Sequence, residues 1–168
     1  KNVKELINND ITKVEKGVKI KVLIIEELLT VNLKTANSEI KFVLKGKMDR
    51  VQEEDGVLHI LDYKTGNVEP SKLTFTDNED IIQNKKTNIL QLACYNLIAS
   101  SILKSNKPFK SGIISFKHIN QGTLWMKEKI SFKERKDIFN EDDLKNFENL
   151  VYEIIDDIHD VNSTFKNE

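Results

Sequence analysis

Asp55-Gly56, set between two stretches of alternating apolar and polar residues, constrains the fold more than any other feature of this sequence. The dipeptide suits a two-residue hairpin turn, whose central residues both need positive φ. It joins a strand running from Glu39 to about Glu53 to a second strand, Val57–Thr65, which Gly66 breaks. With Asp55 and Gly56 as the loop, Glu54 pairs with Val57, and counting back along both arms sets Asp49 across from Asp62. Opposed side chains hold their Cβ atoms roughly 5 Å apart on one face of the sheet.

Two carboxylates so placed repel each other. A divalent cation between them turns that repulsion into ligation, because hard Mg²⁺ prefers oxygen donors in near-octahedral geometry. Strand alternation adds Lys64, since Leu58, Ile60, Asp62 and Lys64 share a face, with Val51 beside Asp49 across the hairpin. This row begins as core and ends as three charged groups, the kind of break in a folding pattern that marks functional sites. A solvated strand rim has the same spacing, so spacing alone leaves both readings open. Arg50 points to the opposite face from Asp49, which favours a structural salt bridge for it.

The rest of the chain reads as helices and strands in the order α-β-β-β-α-β-β-α, a mixed sheet flanked by helices. Asn2–Lys16 has helical spacing and ends at Gly17. Lys19–Leu33 is ambiguous, its Leu28–Leu33 end reading better as a strand, and Thr35–Ser38 is a turn. Residues 67–88 are polar and read as a long, mobile loop. Ile89–Leu103 is a helix; Pro108–Asn120 and Thr123–Phe132 read as strands joined at Gln121-Gly122. Glu141–His159 is an amphipathic helix.

At 168 residues the chain fits one domain able to bury a core. No purely apolar run exceeds four residues, so no helix reads as a bilayer span. The single cysteine, Cys94, excludes an internal disulfide framework and favours a reducing, cytoplasmic setting. A net charge of −1 means that nucleic acid, if bound, is met by a local cationic groove rather than by a globally basic chain. Lys45, Lys47, Lys72, Lys85 and Lys86 are candidates to line it, against an equal expectation of ordinary surface lysines.

Three blocks sharpen the reading: Gly46-Lys47-Met48-Asp49-Arg50-Val51, then Leu61-Asp62-Tyr63-Lys64-Thr65-Gly66, then Gln91-Leu92-Ala93-Cys94-Tyr95. In this order they resemble G-x-x-D-R, D-Y-K-T-G and Q-x-x-x-Y of the RecB/AddB-type branch of the PD-(D/E)XK nucleases, over about residues 20–130. The resemblance implies an α/β, restriction-endonuclease-like core with a mixed sheet flanked by helices, over residues 1–168. It implies Asp49 and Asp62 as metal-binding carboxylates, with the backbone carbonyl of Tyr63 completing the protein's share of the Mg²⁺ or Mn²⁺ shell. It implies Lys64 as catalytic lysine. Gln91 and Tyr95, one turn apart on a helix, would border the site and contact DNA or support the lysine. The implied activity is exonuclease-type DNA hydrolysis in double-strand-break repair and recombination, beside a helicase subunit or domain, with no membrane partner.

Departures from the pattern matter too. Many such nucleases carry a metal-binding histidine upstream, yet here no histidine precedes His59, which points away from Asp62. A start at Lys rather than Met favours a fragment of something longer. Cys94 alone holds no iron–sulfur cluster, although Thr164-Phe165 resembles the segment that precedes terminal cysteines in cluster-bearing relatives. Glu27 is a weaker match to an upstream glutamate. The alternative is a catalytically incomplete DNA- or partner-binding module of the same fold; a structure-specific endonuclease such as a resolvase is a third reading.

Overall fold

Asp55 and Gly56 both take positive φ, 47° and 88°, and the hairpin closes with Glu54 opposite Val57. The computed structural model describes residues 2–35 and 40–160. The first helix α1 is Asn2–Glu15, followed by β1 (Ile20–Lys34), β2 (Lys41–Glu54) and β3 (Val57–Lys64). A 3-10 turn (Pro70–Leu73), β4 (Thr74–Phe75) and α2 (Asn78–Gln83) lead to α3 (Thr87–Leu103). Then come β5 (Phe109–Ser115), a 3-10 stretch (Phe116–Gln121), β6 (Leu124–Trp125), β7 (Lys127–Lys129), β8 (Arg135–Lys136) and α4 (Glu141–His159). The expected turn at 35–38, the start of its following strand and Thr164-Phe165 fall partly or wholly outside the described residues.

Five strands form the main sheet in the order β1-β2-β3-β5-β6. Only β3 and β5 in it run parallel, and α3 supplies the crossover that parallel neighbours require. These two central strands are covered on both sides, which is why they read as nearly continuous apolar runs. On one face α3 buries Ile89, Leu92, Ala93, Leu97, Ile98 and Ala99 against the sheet and α4. A capping box starts α4: Asn140 accepts from the Asp143 amide, and the Asp143 carboxylate accepts from the Asn140 amide at 2.7 Å. On the other face α1 and the Phe116–Gln121 stretch cover Leu61, Ile114 and Ile119. No helix among the described residues is long and apolar enough to cross a membrane.

The structure corrects three expectations. Residues 67–88 are not a long loop, because Leu73, Phe75 and Ile81 are buried and pin the segment to the core. Its polar run Thr76–Asp80 is a helix start: the Asp77 side chain accepts from the Asp80 amide as N-cap of α2. Phe75 then joins Phe109, Phe139 and Phe147 in an aromatic cluster. The strand from Pro108 stops at Ser115, where the chain turns into the 3-10 stretch and buries Ile119. The expected strand at 123–132 is split, since Leu124–Trp125 pairs with β5 whereas Lys127–Lys129 pairs with β4 in a second sheet of order β4-β7-β8. Met126, fully buried, sits at the switch.

The ambiguous Lys19–Leu33 segment is strand nearly throughout. A register shift between Val22 and Ile24 and a positive φ of 50° at Glu26 change which residues point inward, from Ile24 to Leu29, Val31 and Leu33. That change erases a simple period.

Polar ties fix α1. Lys13 Nζ lies 2.7 Å from Glu54 Oε1, and Arg50 Nη1 lies 2.7 Å from Asp10 Oδ2, the structural salt bridge expected for Arg50. Burial pushes the Glu54 carboxyl up, but His59 and Lys13 outweigh it and hold it at about 2, below its ordinary 4.5. A depressed carboxyl contributes stability that is complete above pH 4.5 and drains away as the pH falls through about 2. Glu54→Gln is therefore expected to cost about 2 kcal/mol at neutral pH and to shrink the acid transition in that window. Fluorescence of Trp125, whose ring centroid is 5.1 Å from that of His59, reports the change. An unaltered acid limb would show that these pairs do not hold α1.

Candidate active site

The ladder between β2 and β3 ends at Arg50↔Leu61, although β3 runs on beside β5 through Asp62↔Ile113, Tyr63↔Ile114 and Lys64↔Ser115. Beyond the last rung the two strands part, leaving the β2-facing backbone groups of β3 without their ladder partner. Asp49 answers this directly, its Oδ2 accepting from the Tyr63 amide at 2.6 Å. The hairpin arithmetic thus gives the register correctly, but Asp49 and Asp62 stand at the first position past the paired rungs. A strand residue's N–H and C=O point to the same side, so the Tyr63 carbonyl faces this gap as well. The Tyr63 ring goes to the other face of the sheet, packed 5.5 Å from Phe116.

Asp62 continues the buried row of Leu58 and Ile60 and is 3% exposed. Lys64 Nζ lies 3.0 Å from Asp62 Oδ2 and donates to Gln91 Oε1 at 2.8 Å. The amide nitrogen of Gln91 donates to Asp62 Oδ1 at 3.1 Å and to the Tyr95 hydroxyl oxygen at 2.9 Å. One amide from α3 therefore brackets the carboxylate and the ammonium of β3. Burial pushes the Asp62 carboxyl above its ordinary range; the Lys64 ammonium opposes this and the negative Asp49 adds to it. Asp62 Oδ2 is buried without an aligned hydrogen bond. Burial likewise pushes the Tyr95 phenol up, which keeps it a hydrogen-bond donor at neutral pH.

All five side chains singled out from the sequence, Asp49, Asp62, Lys64, Gln91 and Tyr95, meet at this corner, with the Tyr63 backbone beside them. Oxygens of Asp49, Asp62 and the Tyr63 carbonyl could hold a hard cation. Among the described residues, no group of three or more His, Cys, Asp or Glu side chains gathers in a metal-holding arrangement. Glu27 faces Met48 and is exposed, whereas Glu26, between the rungs Ile25↔Arg50 and Glu27↔Met48, comes across from Asp49. Glu26 is ion-paired with Lys47. Lys86 is tied to Asp80 and the Thr74 carbonyl at the root of α3. Lys45, Lys72 and Lys85 are exposed.

Two supporting residues escaped the sequence reading. A Cβ on Gly46 would stand 2.9 Å from a Tyr95 ring carbon and 3.1 Å from Ile98, so only glycine lets Tyr95 lie across β2. The first motif block contains Gly46 but gives no hint of what it admits. Ser115, buried opposite Lys64, donates to the Gly66 carbonyl at 2.7 Å and fixes the turn that follows the lysine. Nothing in the sequence marks Ser115 before the parallel pairing of β3 and β5 is known.

The sequence profile of the PD-(D/E)XK nuclease superfamily matches residues 9–167. A search of curated proteins returns no match.

A raised carboxyl means that the folded chain holds its proton more tightly than the unfolded one. The resulting stability is complete below the unfolded value of 3.8 and is lost as the pH rises through the folded value. Ionised Asp62 is a cost at neutral pH. In metal-free buffer Asp62→Asn is expected to raise the melting temperature at pH 7 by about 2–4 °C, with the gain vanishing in acid. Calorimetry at both pH values checks this, and a lower melting temperature at pH 7 would refute it.

Proposed function

The chain belongs to the PD-(D/E)XK nuclease superfamily, and from that premise we propose that it hydrolyses DNA phosphodiester bonds with Mg²⁺ or Mn²⁺ at the Asp49/Asp62/Lys64 corner. The observation that carries the proposal is the Gln91 bracket, which holds an acidic and a basic group of one strand in fixed register beside a second carboxylate. The corner suits a divalent cation on two physical grounds. Its donors are all oxygen, and buried Asp62 Oδ2 lacks an aligned hydrogen-bond donor while two negative carboxylates face each other. When bound, the cation supplies Lewis-acid activation of water and of the scissile phosphate.

The chain's own residues do the rest. Asp49 and Asp62, with the Tyr63 carbonyl, would hold the cation. Lys64, beside Asp62 on the same strand, would direct its ammonium to the attacking water or to charge developing on the phosphate oxygens. Gln91 keeps Lys64 aimed as this happens. Tyr95 uses its oxygen to accept from Gln91, which leaves its O–H to donate to a non-bridging phosphate oxygen. Exposed Lys45, Lys72 and Lys85 add phosphate attraction from nearby surfaces. The three motif blocks support placement in the RecB/AddB-type branch, hence an end-dependent activity in double-strand-break repair and recombination, beside a helicase. The second reading, a binding module of the same fold, draws on the ligand count: two carboxylates, and no larger acidic or histidine cluster among the described residues.

Linear and closed circular DNA incubated with and without Mg²⁺ or Mn²⁺ separate these readings. Metal-dependent loss of linear DNA is expected, with Lys64→Ala slowing cleavage about 10²–10³-fold. Binding without cleavage under every metal condition would leave the module reading standing. Ser115→Ala is expected to lower kcat about tenfold at unchanged KM, because it loosens the turn that aims Lys64 and leaves substrate contacts intact. Ser115→Thr should restore part of the rate. A change in KM alone would place Ser115 outside this role.

A further inference from the structure

A helix laid on a sheet ordinarily turns its apolar stripe inward. α1 does not. Its inward side carries Asp10 and Lys13, which meet Arg50 and Glu54 on the sheet, with Leu6 packed beside Leu61, Ile114 and Ile119. Val3, Ile7, Ile11 and Val14 instead stand 49–62% exposed. Their spacing of four, four and three residues sets them in one row along the helix.

The row continues onto the sheet. Val22 and Ile25 of β1 lie opposite Gln52 and Arg50 in the ladder, hence on the face that α1 covers, and both are exposed. β1 is an edge of the main sheet. Between it and α1 runs an open groove of about 350 Å³, lined by Ile7, Ile11, Val14, Ile20 and Val22. An exposed apolar patch of this kind marks an interaction surface.

The charges beside the row select what covers it. Lys4 and Glu15 are eleven residues apart, which is three helical turns, so both fall on the rim of the row that faces away from the sheet. Both are exposed and, among the described residues, free of ion pairs. Val3 and Val14 have the same offset. Let a second α1 run antiparallel to the first, with Ile7 opposite Ile11 of the second copy. The register then brings Val3 to Val14 and Lys4 to Glu15, and a two-fold axis repeats each contact. A parallel pairing would set Lys4 beside Lys4 and Glu15 beside Glu15. One lysine and one glutamate on the rim also give no basic face for an anionic bilayer.

We infer that the chain forms a two-fold dimer in which α1 packs antiparallel on α1 of a second copy and covers the groove over β1. The inference stands whether or not the catalytic corner cleaves DNA.

Sedimentation equilibrium of the 168-residue chain over a concentration series is expected to show a reversible monomer–dimer equilibrium. Ile7→Gln with Ile11→Gln keeps strong helix formers on an exposed face and should leave only monomer, with an unchanged circular dichroism spectrum. Lys4→Glu or Glu15→Lys alone should weaken association about tenfold at low salt, since each sets like charges together twice per dimer. The two made together should restore it, and this exchange decides the matter if the isoleucine variant does not fold. A chain that stays monomeric at every concentration, whether inert or adsorbed to anionic phospholipid vesicles, would overturn the inference. So would a dimer that survives the isoleucine changes, or one that is indifferent to the single charge reversals or is not recovered by the exchange.

Discussion

β2 and β3 stop pairing after Arg50↔Leu61, and the corner where Asp49, Asp62 and Lys64 gather depends on that parting. A continued ladder would fill the β2-facing side of Tyr63 with backbone bonds and leave no gap for oxygen donors to share. Instead the Asp49 carboxylate takes the Tyr63 amide at 2.6 Å. The side chain thereby replaces a backbone acceptor, so the sheet opens without orphaning that half-buried N–H. The same contact fixes where Asp49 stands relative to Asp62. The opening of the sheet and the assembly of the carboxylate pair are one event.

What stiffens the opening comes from the third motif block. Gln91 reaches from α3 to bind Asp62, Lys64 and Tyr95 at once, using its acceptor and both hydrogens of its donor nitrogen. α3 can sit close enough for this because Gly46 lacks a Cβ where the Tyr95 ring crosses β2. Gly46 belongs to the first block, Lys64 to the second and Gln91 to the third. Their order in the chain matters because the three are parts of one contact. Asp62 pays for the arrangement in stability, as a buried carboxylate facing another negative group. The sheet's opposite face carries a separate polar system, in which Glu54, Lys13, Arg50 and Asp10 dock α1 and leave a cavity over β2.

The hairpin register was legible residue by residue, because a two-residue turn admits one pairing and strand alternation then places every side chain. Glu141–His159 was legible for a similar reason: its apolar stripe has a single helical period, and the observed helix keeps those bounds. Residues 67–88 were not. Their buried residues, Leu73, Phe75 and Ile81, are spaced by no regular period, and the polar run that caps α2 has the composition of a loop. Thr123–Phe132 misled for another reason. Its apolar pattern suits a strand, but Met126 marks a crossing between two sheets, and alternation carries no information about which sheet a residue joins.

The sequence by itself determined the hairpin, its register, the elements with one clear period and the five side chains that meet at the corner. These follow from short-range sterics, from periodicity and from blocks whose residues lie within a few positions of one another. Tertiary structure decided where β2 leaves β3, that Asp49 replaces the missing ladder acceptor, and that Gln91 spans to Lys64 from 27 residues away. It also decided that Ser115 secures the turn after the lysine. Each of these rests on a distance between residues remote in sequence. Such distances are set by how the layers pack, and no local pattern encodes them.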